Sequence, residues 1–151
     1  MTDAEIKAAT KEELGREYSK RLRKLQNELI EYKDTLPSGR ALKPHQEAVF
    51  NFIMNPSVAV EFEINGYTIV LFKGNDGIGF RHILLRHFCS GCDGEITARD
   101  ILNIGNVINN DVEVPGKKGR INFIQNKNGL KYTVVLKVKE DGKLIFNFFS
   151  S

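Results

Sequence analysis

Two imidazoles and a guanidinium fall within six residues of this chain, in the segment GFRHILLRHF around His82, Arg86 and His87. Histidine gives and takes protons near neutral pH. Arginine clamps a phosphate through paired N–H groups and stabilises charge that develops on it. Together these residue types suit phosphoryl chemistry. The plainer alternative is a helix whose histidines are hydrogen-bonded packing residues.

A helix from Phe80 to about Phe88 must position them. At 100° per residue Phe80, Ile83, Leu84 and Phe88 share one arc, and His87 falls inside it. His82 and Arg86, four apart, lie on the other side. This places His82 toward solvent and His87 toward the core, where desolvation favours its neutral form.

The complement is a run of strands further on. In KYTVVLKVK, Tyr132, Val134, Leu136 and Val138 alternate with Lys131, Thr133, Val135, Lys137 and Lys139. One face is therefore apolar and the other largely basic. In the next strand Lys143, Ile145, Asn147 and Phe149 alternate with Leu144, Phe146 and Phe148. A basic face carrying Lys131, Thr133 and Lys137 suits an RNA backbone, with aromatic groups for base stacking. An ordinary lysine-rich wet face is the alternative.

Charge supports an anionic partner there. The net charge is +3, but from Pro115 to Ser151 eight lysines and arginines stand against Glu140 and Asp141, a local balance of 8 − 2 = +6. With 151 residues, 41% hydrophobic and 27% charged, the chain suits one packed domain and is not a disordered tail. No apolar run approaches a membrane span, and MTDAEIKAATKEE lacks a signal-peptide core. A cytoplasmic protein with no membrane partner is the expectation.

The cysteines form one pair, Cys89 and Cys92, in His87-x-Cys-x-x-Cys next to Asp93. Zinc sites of this kind usually pair two such knuckles, and only one is present. The expectation is a loop with two reduced thiols, no metal and no cofactor. No G-x-S-x-G or H-E-x-x-H motif occurs, and no metal-nuclease carboxylate cluster is evident.

The other elements follow from periodicity and punctuation. Residues from about Asp3 to Lys33 read as one long helix with a stripe of Tyr18, Leu22, Leu25, Leu29 and Tyr32, which either caps the core or pairs two chains. The turn cluster TLPSGR, Thr35 to Arg40, separates it from a helix opened by Pro44 that carries Val49, Phe50, Phe52 and Ile53. Val58 to Ile64 and Tyr67 to Leu71 read as a hairpin around Asn65-Gly66. The glycine-rich loop from Lys73 to Gly79 lacks the Gly-Lys-Ser/Thr ending of a phosphate-binding loop. Thr97 and Asp100 cap a helix from Ala98 to about Asn109. Three strands follow, Arg120 to Gln125, Leu130 to Lys139 and Lys143 to Phe149, with turns at Asn128-Gly129 and Asp141-Gly142.

The helix G-F-R-H-I-L-L-R-H, the following E-I-T-x-x-D-I helix and the three strands resemble the phage-associated branch of the barnase–EndoU–colicin–RelE nuclease superfamily, over roughly Val58 to Ser151. The resemblance implies an α+β fold in which N-terminal helices precede a small antiparallel β-sheet. With the TLPSGR linker as the boundary, the chain divides into an N-terminal amphipathic helix, 1–34, outside the resemblance, and an RNase-like domain, 35–151. The resemblance also implies metal-independent RNA cleavage by a toxin or phage effector, through 2′-hydroxyl attack to a 2′,3′-cyclic phosphate. On this reading His82, Arg86 and His87 match the motif helix, while Arg120 and Tyr132 match a basic and an aromatic position on the sheet. Asn147 stands where the family commonly ends in a Thr-aromatic-Tyr sequence. That departure leaves open a catalytically degenerate RNA-binding or protein-interaction relative. The partners implied are RNA, with tRNA as one candidate, and a cognate inhibitor or immunity protein. The chain is expected to be a monomer, with a dimer through the N-terminal helix as the alternative.

Overall fold

A computed structural model describes every residue except 38, 39, 110–112, 118, 140 and 141. The turn expected over Thr35 to Arg40 and the one at Asp141-Gly142 lie partly outside the described residues. The fold is α+β, with helices α1 (Asp3–Ala8), α2 (Lys11–Asp34) and α3 (Pro44–Met54) leading into strands β1 (Val60–Ile64) and β2 (Tyr67–Leu71). Helices α4 (Gly79–His87), α5 (Ala98–Leu102) and α6 (Ile104–Ile108) come next, then β3 (Glu113–Pro115), β4 (Arg120–Lys127), β5 (Leu130–Lys139) and β6 (Gly142–Ser150).

The helix expected from Asp3 to Lys33 is two helices. Thr10 accepts from Glu13 N, and its own N–H donates to the Glu13 carboxylate. That reciprocal cap starts α2 afresh, as Thr2 and Glu5 start α1. The helix expected from Ala98 to Asn109 likewise breaks at Asn103, whose side chain bonds back to Arg99 O and accepts from Gln46 Nε2. Asn65-Gly66 and Asn128-Gly129 have positive φ at both residues, as tight hairpin turns require.

The sheet is mixed, where a purely antiparallel one was expected. Its strands run in the order β1-β2-β6-β5-β4-β3 among the described residues. β2 lies parallel to β6, with Ile69 opposite Lys143 and Val70 opposite Leu144. The long connection that a parallel neighbour needs runs from β2 through the three helices and then β3, β4 and β5 to β6. The β1–β2 hairpin gains by docking its free edge there, since an isolated hairpin is marginal in water.

The strands bury one face. Ile69, Phe123, Val134, Leu136, Ile145 and Phe148 join a single core with Phe52, Phe80, Leu84 and Leu102 from the helices. On the opposite face Asn122, Ile124, Val135, Lys137, Asn147 and Phe149 stay partly exposed, while Thr133 beside Phe149 is buried. No helix among the described residues is long and apolar enough to cross a membrane.

The α2 stripe is covered by the chain itself, with Leu25 and Leu29 only 0% and 1% exposed. α2 also carries Arg21, 6% exposed, whose Nη1 donates to Leu84 O and Leu85 O, both at 2.8 Å. These are final-turn carbonyls of α4, which have no partner within their own helix. Glu17 lies one turn back, 3.6 Å from Arg21 Nε. Replacing the guanidinium strands two buried carbonyls and leaves Glu17 without this partner. Arg21→Leu is expected to lower stability by about 2–4 kcal/mol in urea denaturation, with the m value unchanged.

Candidate functional site

α4 opens from a loop that folds on itself. Asn75 Oδ1 accepts from Gly77 N and Ile78 N, and Arg81 Nε donates to Asp76 Oδ1 at 2.6 Å. This fixes the Asp76 carbonyl, which lies 2.9 Å from His82 Nδ1. The glycine-rich segment is therefore a histidine support. At the other end of α4 the Asp93 carbonyl lies 2.9 Å from His87 Nδ1. A carbonyl only accepts, so both Nδ1 atoms carry hydrogen, and Nε2 is the nitrogen left with a lone pair in the neutral ring.

The two supports share a pattern. Each is an Asp-Gly pair six residues from its histidine, Asp76-Gly77 before His82 and Asp93-Gly94 after His87. Gly94 has φ of +70°, and a Cβ there would sit 2.7 Å from His87 Nδ1. Only glycine lets the backbone pass so close beneath the ring.

The rings of His82 and His87 lie 6.0 Å apart, nearly perpendicular. His87 also meets Phe149 of β6, with centroids 5.7 Å apart. The expected contrast of a solvent-facing His82 and a core-facing His87 does not hold, since both are partly buried. His87 is the last residue of a nine-residue helix, so its ring joins the Asp93 loop rather than the apolar arc. Burial is the chief force on both imidazoles and pushes their pKa values below 6.5, against the opposing pull of the carbonyls.

His82, Arg86 and His87 line one cleft of about 250 Å³ with Asp3, Lys7 and Asp93. Asp3 and Lys7 belong to α1, so the N-terminal segment, placed outside the RNase-like domain by the division at 34/35, forms one wall. Asp3 Oδ2 accepts from Asp93 N at 3.0 Å, tying that wall to the loop that holds His87. Among the described residues neither Lys7 nor Arg86 has an ion-pair partner. The cleft combines two imidazoles, two cations and two carboxylates.

The other expected site residues lie elsewhere. Arg120 stacks its guanidinium 4.0 Å over the Phe146 ring. Tyr132 is on the core side of the sheet beside Phe148, its hydroxyl pushed up first by burial and then by the Asp100 charge. Asn147 Oδ1 accepts from Phe148 N beside a β-bulge, where Val135 and Leu136 face Asn147 and Ile145 and Phe146 is the extra residue. Lys131 is exposed, Lys137 is partly buried, and Thr133, beside Phe149, is 5% exposed and closed to a ligand of any size.

The expected pair of reduced thiols is corrected too, because Cys89 and Cys92 are joined in a disulfide. The turn through Gly91, with φ of +78°, brings their Cα atoms to 5.8 Å, within bridging range. Asp3, Cys89 and Cys92 form the one cluster of metal-ligand types found among the described residues, and its two sulphurs are bonded to each other.

The comparisons with known proteins are negative. No family model, curated protein or solved structure matches the chain. Asp3, Lys7, Asp76, Asp93 and Phe149 are site residues that the spacing of charged and aromatic residues did not reveal. The repeated Asp-Gly flanking the histidine helix was the available signal for two of them.

A histidine with a lowered folded pKa binds its proton less readily than in the unfolded chain. Its contribution to stability is therefore complete above about pH 6.5 and is lost as pH falls through the lowered folded value. His45, also lowered by burial, acts the same way. Denaturant titrations between about pH 8 and pH 5 are expected to show stability falling toward the acid side. The double variant His82→Asn, His87→Asn is expected to show a shallower fall, carried by His45.

Proposed function

We propose that the chain is a metal-independent endoribonuclease, which cleaves RNA by attack of a ribose 2′-hydroxyl on the adjacent phosphorus. The observation that carries this reading is the pair His82 and His87, each oriented through Nδ1 and lining one cleft with Arg86. In the working state one imidazole is neutral and the other protonated. The neutral Nε2 takes the 2′-hydroxyl proton as the oxygen attacks. The protonated ring delivers a proton to the departing 5′-oxygen, leaving a 2′,3′-cyclic phosphate. Arg86 and Lys7 offset the charge that builds on the phosphoryl oxygens.

The partly open, basic sheet face beside Phe149 supports RNA as the anion, with Lys131 and Lys137 contacting its backbone. The sequence resemblance to barnase-like toxins supports the same chemistry and adds a cognate inhibitor as a partner. A second reading has its own observation. Arg120, Tyr132 and Asn147 lie outside the cleft lining, and Asp3 and Asp93 balance its cations, as suits a catalytically degenerate RNA-binding or protein-interaction domain.

Incubation with total RNA in EDTA separates the two. Cleavage to cyclic-phosphate ends is expected, with the loss of 10²–10⁴-fold typical of a missing proton-transfer group in His82→Ala and in His87→Ala. Arg86→Ala is expected to fall with them while keeping its melting temperature. RNA left intact at high protein concentration defeats the enzyme reading. The singly protonated pair governs the rate, and both histidines are lowered, so the bell-shaped rate profile is expected to peak below pH 6.5.

A further inference from the structure

The Cys89–Cys92 bridge lies between His87 and the Asp93 carbonyl that orients it. The neighbouring ties are hydrogen bonds, among them Ile96 N–H to His87 O and the Ser150 hydroxyl to Glu95 O. Asp93 N donates to Asp3, Gly91 N donates to the Glu95 carboxylate, and Ser150 N donates to Gly94 O. The disulfide is the one covalent closure of this loop, and the ring it closes ends one residue before Asp93. We infer that the bridge is a positioning element for His87, removable by reduction. While oxidised it keeps the Asp93 carbonyl on Nδ1 and Nε2 available to the cleft. Once reduced, the loop releases the carbonyl and the ring loses its fixed tautomer. The consequence for RNA cleavage rests on the ribonuclease reading, but the effect on His87 does not.

The surroundings fit a brace better than a thiol–disulfide catalyst. Cys89 follows the C-terminal end of α4, the negative end of its dipole. The Asp3 carboxylate lies within 4.8 Å of both sulphurs. Both features disfavour a thiolate, which a redox catalyst needs. Reduction requires an external dithiol. One of its thiolates attacks a cysteine sulphur, forms a mixed disulfide and frees the other cysteine, which takes a proton. Its second thiolate then closes the reductant's own disulfide and expels the remaining cysteine, which takes another proton. The protein gains two electrons and two protons, and the dithiol loses both.

Imidazole nitrogen NMR on the full chain, with and without dithiothreitol, tests this. The groups facing His87 are His82 and Arg86 on α4, Asp93 in the loop, Asp3 and Lys7 on α1, and Phe149 on β6. On reduction the His87 signals are expected to change from a fixed Nδ1–H pattern to a tautomer mixture. Its titration midpoint should rise toward 6.5 as water enters. His82, whose Nδ1 is held separately by the Asp76 carbonyl, is the internal reference and should keep its Nδ1–H pattern. Cys89→Ser with Cys92→Ser should match the reduced protein and ignore dithiothreitol. If that variant fails to fold, reduced wild-type protein with unchanged far-ultraviolet circular dichroism still decides the matter. An unchanged His87 spectrum overturns the inference, and so does an equal change at His82, which would mean general loosening. Cleavage by the reduced protein is expected to fall on the order of tenfold to a hundredfold. A His87 that responds in a protein with no cleavage in either state would sustain the brace and sink the ribonuclease reading.

Discussion

The structure depends on one buried guanidinium. Arg21 reaches from the middle of α2 to the last-turn carbonyls of α4, at the end where His87 sits. A short helix leaves its final carbonyls unpaired wherever it stops, and here it stops against other elements of the fold. Two converging N–H bonds from one charged group satisfy those carbonyls and place positive charge at the negative end of the helix. The 24-residue α2 is thereby joined to the nine-residue α4 by polar bonds as well as by apolar contact. The direction of the histidine helix is set from the opposite side to the sheet.

Around that anchor the site is made chiefly of backbone. Each imidazole takes a main-chain carbonyl on Nδ1, so its tautomer is set by loop conformation rather than by a carboxylate partner. A carbonyl carries no full charge, so it orients the ring without greatly raising its basicity, and burial prevails. The two rings therefore favour the neutral state close to neutral pH. Lys7 and Arg86 hold the positive charge of the cleft instead.

Local chemistry was legible in the sequence. Asn65-Gly66 and Asn128-Gly129 marked their turns because few other pairs accept two positive φ values. The alternation in β5 gave its buried face, and the α2 stripe showed which residues the helix hides. Apolar spacing runs on across the break at Asn103 and hides it, whereas the break at Thr10 has its signal in Thr-x-x-Glu rather than in the stripe, which begins at Tyr18. The site was half legible. The α4 trio was visible as a motif, whereas Asp3 and Lys7 reach it only through tertiary packing that spacing does not encode. Arg120 and Tyr132 came from matching positions along strands, and strand parity sends Tyr132 to the core side.

The parallel contact between β2 and β6 bears on how the chain folds. Ile69 and Val70 wait for Lys143 and Leu144, more than about seventy residues on, while β1–β2 and the β4–β5–β6 meander need only neighbours. Such a non-local pairing closes late, because the loop entropy is lost before the contact rewards it. Until then β2, reading YTIVL, offers a β-branched, uncharged edge of the kind that recruits strands from other molecules. β6 covers that edge and also carries Phe149 to His87. Assembly of the histidine cleft and protection from aggregation are thus completed by the same strand.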